Sequence, residues 1–293
     1  MPWWSKLVRP LWTDSCRKFL AGEIPVALHQ SLVCGDDLAD QVAALQTRPQ
    51  WAFGVLRKRL WQFGLQRSAE LFHRRNITVS SLNWAGGFTG SLGFQFREAV
   101  DDALSALEEA DCIGTRTLVI APGGQGTFTY RHARRMAIDG VQRLLAPAAD
   151  RRLRLAILVD LGTKASQRSL IQSWTAAAEF LEDIGAPHVG LAGPLPTISS
   201  LATGSQAWEA CAAKLFIVTS QAEPGSVGRQ SLGSGPADVA TVFARLKSAG
   251  FRGTWEFASP TCAAPWWNGR EALLHCCSWV NTVSRQLSRV RAG

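Results

Sequence analysis

Two carboxylates stand out among the residues whose types could do chemistry. Glu256 lies inside the otherwise apolar run TWEFA (254–258), and Asp160 follows the apolar run LRLAILV (153–159). Burying a lone carboxylate is costly without a partner, so Glu256 either forms a structural ion pair or contacts a ligand or metal ion. We predict the second role, with Glu256 and Asp160 as catalytic carboxylates that move a proton.

Four further residues are predicted to bind the substrate, because each lies at or beyond the end of a β-rich run. They are His29, Trp84, Gln125 and Arg229. Two glycine-rich segments accompany them, WAGGFTGSLG (84–93) and PGGQG (122–126). Glycines let a backbone approach a ligand closely and present N–H groups to it, although such segments also serve as plain turns.

The elements that must position these residues repeat along the chain. Eight β-rich runs alternate with amphipathic segments and span residues 24–30, 51–56, 77–84, 117–121, 153–160, 188–193, 214–220 and 253–259. Their near-continuous apolar composition is typical of parallel strands covered by helices. Eight strand–helix units predict a closed (β/α)8 TIM barrel, whose active site lies at the C-terminal strand ends. A doubly wound open sheet is the alternative, but no GxGxxG segment follows the first run.

The segments between these runs have helical spacing and shared terminators. One apolar stripe consists of Phe96, Val100, Ala103, Leu104 and Leu107. A glycine ends a helical pattern shortly before a strand in three places, at Gly114, Gly185 and Gly250. Glycine at this position can adopt the left-handed conformation that ends a helix.

Composition and charge limit the class of protein. The chain has 293 residues, of which 46% are hydrophobic and 18% charged, so it can fill a large core and is not disordered. No apolar run approaches the roughly 18 residues of a membrane span, and the first residues lack the apolar region of a secretory signal. We therefore expect a cytoplasmic protein without a membrane partner, with an N-terminal extension (1–23) before a single barrel domain (24–293).

The cysteines and the net charge are less specific. Seven cysteines are scattered without a CxxC pair, which argues against a disulfide framework and a structural zinc site. The net charge of +8 favours anionic partners such as sugar phosphates, nucleic acid or a membrane surface.

Several segments in the same order resemble one family. They include RSAELFHRRNITVSSLNWAGGFTGSLG (67–93), REAVDDALSAL (97–107), GTRTLVIAPGG (114–124) and GRQSLGSGPADVATVFARLKSAGFRGTWEF (228–257). The chain resembles the sugar phosphate isomerase/epimerase family, whose members are xylose-isomerase-like TIM barrels. The resemblance implies a divalent metal (Mg, Mn or Zn) that polarises a sugar carbonyl, and carboxylates that move the adjacent proton.

The resemblance also implies four metal ligands at the ends of the fifth to eighth strands, and only Glu256 matches. The other positions hold Leu158, Gly193 or Pro194, and Val218 or Thr219, and a further histidine position holds Ala121. Arg229 matches a basic residue that the family uses near the substrate. Glu256 and Asp160 could form a residual oxygen site for Mg²⁺ or Mn²⁺, but we expect metal binding to be weak or absent.

Three functions follow from these observations. The first is an isomerase or epimerase acting on a sugar or sugar phosphate with a degraded metal site. The second is a sugar-binding or regulatory pseudoenzyme of the same family. The third is a nucleic-acid enzyme, because related barrels cleave DNA at abasic sites, but they use many histidine and carboxylate ligands that are missing here. We therefore expect a small sugar-like ligand, no nucleic-acid partner, and a homodimer as one predicted assembly.

Overall fold

Eight parallel strands close into a barrel in the computed structural model, which describes residues 24–33, 37–47, 51–161, 168–195, 206–221, 236–258 and 269–290. Each strand pairs with the next, and the last pairs with the first. The strands are β1 (Val26–His29), β2 (Ala52–Leu56), β3 (Val79–Gly86), β4 (Thr117–Ala121), β5 (Arg154–Leu158), β6 (Val189–Pro194), β7 (Leu215–Gln221) and β8 (Thr254–Ala258). The predicted (β/α)8 TIM barrel is confirmed, and the open sheet is wrong.

Helices cover the outside of this barrel. Those of the described residues are α1 (Leu38–Gln46), α2 (Arg57–Phe63), α3 (Leu65–Arg74), α4 (Phe96–Cys112), α5 (Tyr130–Asp150), α6 (Trp174–Ile184), α7 (Gln206–Ala212), α8 (Pro236–Ser248) and α9 (Gly269–Val290). None of them combines the length and apolar composition that a membrane crossing requires. The predicted extension (1–23) lies outside the described residues, so the division into extension and barrel domain stays a prediction.

The helical stripe and the glycine terminators are present as the sequence predicts. On α4, Val100, Ala103 and Leu107 are buried, whereas Phe96 and Leu104 are half-buried and pack against the core. The three junction glycines all have positive φ, with 73° at Gly114, 64° at Gly185 and 89° at Gly250. A side chain would be strained in this conformation, so these positions explain why the same junction recurs before β4, β6 and β8.

Alternation along β8 decides which way the key carboxylate points. Trp255 packs against Phe243 of α8, with ring centroids 4.5 Å apart, and Phe257 stacks on Trp51 at 6.0 Å. These two aromatic side chains therefore face the helical layer. Because successive side chains of a strand point to opposite faces, Glu256 between them points into the barrel.

A buried ion-pair cluster fastens the end of β2 to α4. Arg57 directly follows β2 and is 4% exposed. Its Nε donates to Glu109 Oε2 and its Nη1 to Asp102 Oδ2, both at 2.7 Å, while Nη2 reaches the second oxygen of each carboxylate at 3.0 and 3.1 Å. The guanidinium carbon Cζ of Arg57 also lies over the Trp61 ring, 4.8 Å from its centroid. One side chain thus fixes where β2 ends relative to the helix that follows β3.

Replacing Arg57 with methionine should lower the free energy of unfolding by about 3 kcal/mol or more, because two partly buried carboxylates then lose their counter-charge. Urea denaturation followed by circular dichroism measures this change. Arg74→Met is the matched control, since Arg74 pairs with Glu70 on the exposed surface of α3. That control should cost less than about 1 kcal/mol. Equal losses in the two variants would show that the Arg57 cluster does not fasten β2.

Candidate functional site

Glu256 is the centre of a polar cluster inside the barrel. Its side chain is 1% exposed, and Oε1 accepts hydrogen bonds from Ser80 Oγ at 2.6 Å and Ser81 Oγ at 2.8 Å. The pairing of β2 with β3 skips Ser80, because Phe53 pairs with Val79 and Gly54 with Ser81. This bulge lets two consecutive serines reach the same carboxylate oxygen, which regular alternation would forbid.

The second oxygen of the Glu256 carboxylate is an unpaired acceptor. Oε2 is buried and has no hydrogen-bond partner among the described residues. An unpaired buried polar atom costs roughly 1–3 kcal/mol, so it calls for an explanation. Burial raises the pKa of the Glu256 carboxyl above its usual range, and the hydrogen bonds from Ser80 and Ser81 offset part of that rise. The group is therefore suited to take up a proton.

His29 lies at the C-terminal end of β1 and faces the same interior. Burial lowers the pKa of His29 to about 4, so the imidazole is neutral at pH 7. The backbone N–H of Ser31 donates to Nδ1 at 3.2 Å, and Ser31 Oγ lies 2.8 Å from the same nitrogen. Since a backbone N–H can only donate, Nδ1 is an acceptor and the ring proton is on Nε2. His29 thus offers an N–H donor to the barrel interior.

Gly54 of β2 lets these two side chains pack directly against the strand. A methyl group on Gly54 would lie 2.9 Å from His29 Cδ2 and 3.0 Å from Glu256 Oε2, closer than such atoms normally approach. Both groups therefore meet over Gly54, at distances that leave no room for a side chain at this position. Gly54 pairs with His29, and Glu256 pairs with Ala27 two residues before it, so β1, β2 and β8 form this corner of the barrel.

A chain of buried amides holds the corner in place. Gln30, which follows His29, accepts a hydrogen bond from the Leu56 backbone N–H at 2.9 Å, and its amide nitrogen donates to Gln41 Oε1 at 2.9 Å. The amide of Gln41 in turn donates to the Val33 carbonyl at 2.8 Å. These bonds tie the end of β1 to the end of β2, and so position His29 relative to Gly54.

The opposite half of the barrel interior is apolar. Four consecutive strands contribute one packed layer, which consists of Val119, Ala156, Ala192 and Ile217. Trp84 and Leu158, both half-buried, pack against this layer. The interior therefore combines a polar corner, built from β8, β1, β2 and β3, with an apolar wall that carries one tryptophan.

The structure does not group Asp160 with the described residues of the polar corner as ligands of one metal ion. It is half-buried beyond the end of β5, and its backbone N–H donates to the Ile171 carbonyl at 3.0 Å. Among the residues that the structure describes, no three His, Cys, Asp or Glu side chains are grouped to hold a metal ion. Asp160 and Glu256 therefore do not form a metal site with a third such ligand there.

The positions at which the family resemblance implies ligands carry other groups. Leu158 belongs to the apolar wall, and Ala121 has no donor atom in its side chain. The Thr219 hydroxyl donates to the Gly193 carbonyl at 3.2 Å. Glu256 itself already accepts two hydroxyl hydrogen bonds. These described residues do not fit a divalent metal at the usual position.

The two glycine-rich segments pack against each other. A side chain on Gly86 would collide with the Ala121 carbonyl, and one on Gly123 with the Thr89 hydroxyl. Ser91 Oγ also accepts from the Gly124 backbone N–H at 2.8 Å. These contacts favour the plain structural role that the sequence left open.

The remaining predicted site residues lie elsewhere or outside the described part. Gln125 is exposed and donates from its amide nitrogen to the Phe128 carbonyl of its own loop at 3.0 Å, so the structure does not bring it to Glu256. Arg229 lies outside the described residues. Sequence reasoning missed Ser80, Ser81 and Gly54. The adjacent serines in ITVSSLNW, which interrupt an apolar alternation, were the one available signal.

Comparisons with known proteins agree with this architecture. The family model described as xylose isomerase-like TIM barrel matches residues 43–272. No curated protein matches the chain by sequence. Among solved structures, protein SMc04130 from Sinorhizobium meliloti 1021 has a TM-score of 0.70 at 20% identity, over 87% of this chain and 96% of that one.

Two further structures have named ligands. The IOLI protein, with a bound zinc atom, has a TM-score of 0.70 at 16% identity over 90% of this chain and 100% of that one. D-allulose 3-epimerase from Methylomonas sp., in complex with D-allulose, has a TM-score of 0.64 at 18% identity, over 92% and 97%. Such distant likenesses establish the fold alone. Since the family model spans most of the barrel, the chain belongs to the xylose isomerase-like TIM barrel family.

Proposed function

We propose that this barrel is of the sugar isomerase/epimerase type and binds a sugar-like small molecule at the corner formed by Glu256, His29 and Gly54. The observation that carries the proposal is Glu256 Oε2, a buried acceptor without a described partner that meets His29 over the bare backbone of Gly54. A ligand hydroxyl would satisfy this oxygen. The D-allulose complex of an epimerase with the same fold supports a sugar as the class of ligand.

The apolar wall suits the other face of such a ligand. Ligand pockets are mostly apolar with a few well-placed polar groups that fix orientation. A sugar presents C–H faces as well as hydroxyls, and the half-buried Trp84 supplies a flat apolar surface opposite the polar corner. We infer that Trp84 contacts the sugar ring while Glu256 and His29 bind its oxygens. Arg229 remains a proposed substrate contact, and Asp160 a proposed catalytic carboxylate.

A second function, sugar binding without turnover, is favoured by one specific observation. Leu158, Gly193 or Pro194, and Val218 or Thr219 stand where the family resemblance implies metal ligands, so the metal-dependent step lacks its usual support. We infer that a divalent metal binds weakly or not at all at this position. Binding of the sugar does not depend on the metal in either function.

Metal content separates these possibilities from an ordinary metalloenzyme. Protein dialysed against Mn²⁺ or Zn²⁺ and then against buffer should retain far less than one equivalent by elemental analysis, because too few ligands surround Glu256. Glu256→Gln should leave that content unchanged. One retained equivalent that disappears in Glu256→Gln would overturn the weak-metal proposal and restore a family-type metal site.

Ligand binding tests the corner itself. Isothermal titration with D-allulose should show saturable binding to the wild-type chain. Glu256→Gln should weaken it at least tenfold, because an amide N–H₂ replaces the acceptor, and hydrogen bonds to charged groups contribute about 1.5–3 kcal/mol. Glu209→Gln, on the exposed face of α7, is the control and should bind like wild type. Equal affinity in wild type and Glu256→Gln would mean that the sugar binds elsewhere.

A further inference from the structure

The misfit between the described residues and a metal ion raises the question of what else could polarise a carbonyl at this site. The answer deepens the proposed function and rests on it. Proton transfer beside a carbonyl needs a base for the C–H proton and an electrophile for the carbonyl oxygen. In a metalloenzyme the ion is the electrophile. Here the polar corner contains a base and one hydrogen-bond donor.

The donor is the Nε2–H of His29. The Ser31 backbone N–H occupies Nδ1, which fixes the tautomer, and no described residue accepts a hydrogen bond from Nε2. The ring edge that carries Nε2 includes Cδ2, which packs over Gly54 beside Glu256 Oε2. A neutral imidazole placed in this way can donate a hydrogen bond to a carbonyl oxygen, and it does not transfer its proton to the Glu256 carboxylate.

The base is Oε2 of Glu256. The two serine hydroxyls hold Oε1 and so fix the carboxylate plane, while Oε2 remains without a described partner. The Asn83 amide donates to Ser81 Oγ at 2.7 Å, which orients that hydroxyl's own proton towards Glu256. Donor and base thus meet at one place, over the bare backbone of Gly54.

We propose that His29 and Glu256 form a metal-independent acid–base pair that enolises an uncharged hydroxy-ketone bound beside Oε2 and the Nε2–H. Oε2 takes the proton from the carbon beside the carbonyl, and the C–H electron pair becomes the C=C bond of an enediolate. The negative charge collects on the former carbonyl oxygen, which His29 Nε2–H stabilises by its hydrogen bond. Return of the proton from Glu256 to carbon restores a ketone or gives its isomer, so atoms and electrons balance without a co-reactant. A carboxylate base paired with a neutral histidine does this chemistry without metal in triosephosphate isomerase.

The test follows the protons of D-allulose in D₂O by NMR, with the protein freed of metal by EDTA. The protons on C1 and C3, which flank the carbonyl, should exchange for deuterium, or a new isomer should appear, at a rate that EDTA does not change. Glu256→Gln should abolish the reaction. His29→Phe, which keeps a ring but removes the donor, should slow it on the order of a hundredfold, a larger effect than on D-allulose binding.

Two variants of the same strand test the role of Gly54. Gly54→Ala should weaken D-allulose binding at least tenfold, because its methyl group would push His29 Cδ2 and Glu256 Oε2 out of their positions. The atoms that it meets are side-chain ends, which can shift, so circular dichroism should show a folded barrel. Val55→Ile is the control, since it also adds one carbon to β2 but on the outward face, and it should bind and react like wild type.

The outcomes distinguish this inference from the function on which it rests. Binding without proton exchange overturns the acid–base pair and leaves a sugar-binding barrel. Exchange that requires added Mn²⁺ also overturns it, because the ion would then be the electrophile. Absence of D-allulose binding to the wild-type chain overturns the proposed function, and the inference with it.

Discussion

The burial of one carboxylate inside a closed ring of strands is the constraint on which the site depends. Water cannot solvate Glu256 there, so the protein must supply hydrogen bonds, and it does so through two adjacent serines on β3. Those bonds satisfy one oxygen only. The free energy lost at the other oxygen is of the size that a single ligand hydrogen bond restores. The unpaired oxygen therefore lowers the stability of the ligand-free protein, and a ligand that donates a hydrogen bond to it would regain that free energy.

The barrel interior is divided, and the division explains the departure from the family pattern. The metal ligands implied by the resemblance belong to the fifth to eighth strands, but here β4 to β7 contribute the apolar layer of Val119, Ala156, Ala192 and Ile217. Glu256 of β8 accepts its two hydrogen bonds from Ser80 and Ser81 of β3, and His29 of β1 lies beside it over Gly54 of β2. The polar side chains around Glu256 therefore come from the strands on the other side of β8.

Much of the fold could be predicted because its signals are local. Apolar runs, helical stripes and the glycine junctions at Gly114, Gly185 and Gly250 report on backbone geometry near themselves, and strand alternation alone turns Glu256 inward. The partners of Glu256 could not be predicted in this way. Ser80 reaches it only because of a bulge, and Gly54 matters because it lacks a side chain where His29 and Glu256 pack, which no local pattern indicates. For Gln125, position after a strand end does not by itself determine the partner, since its amide donates within its own loop.

Ties to neighbouring elements hold the ends of β1 and β2 next to the polar corner. Arg57 joins the end of β2 to α4 through two carboxylates, and Gln30 ties the end of β1 to Leu56. Both ties lie within three residues of His29 or Gly54. They fix how closely His29 and Glu256 approach each other over Gly54, and so keep the unpaired Oε2 in place for the proposed ligand hydroxyl.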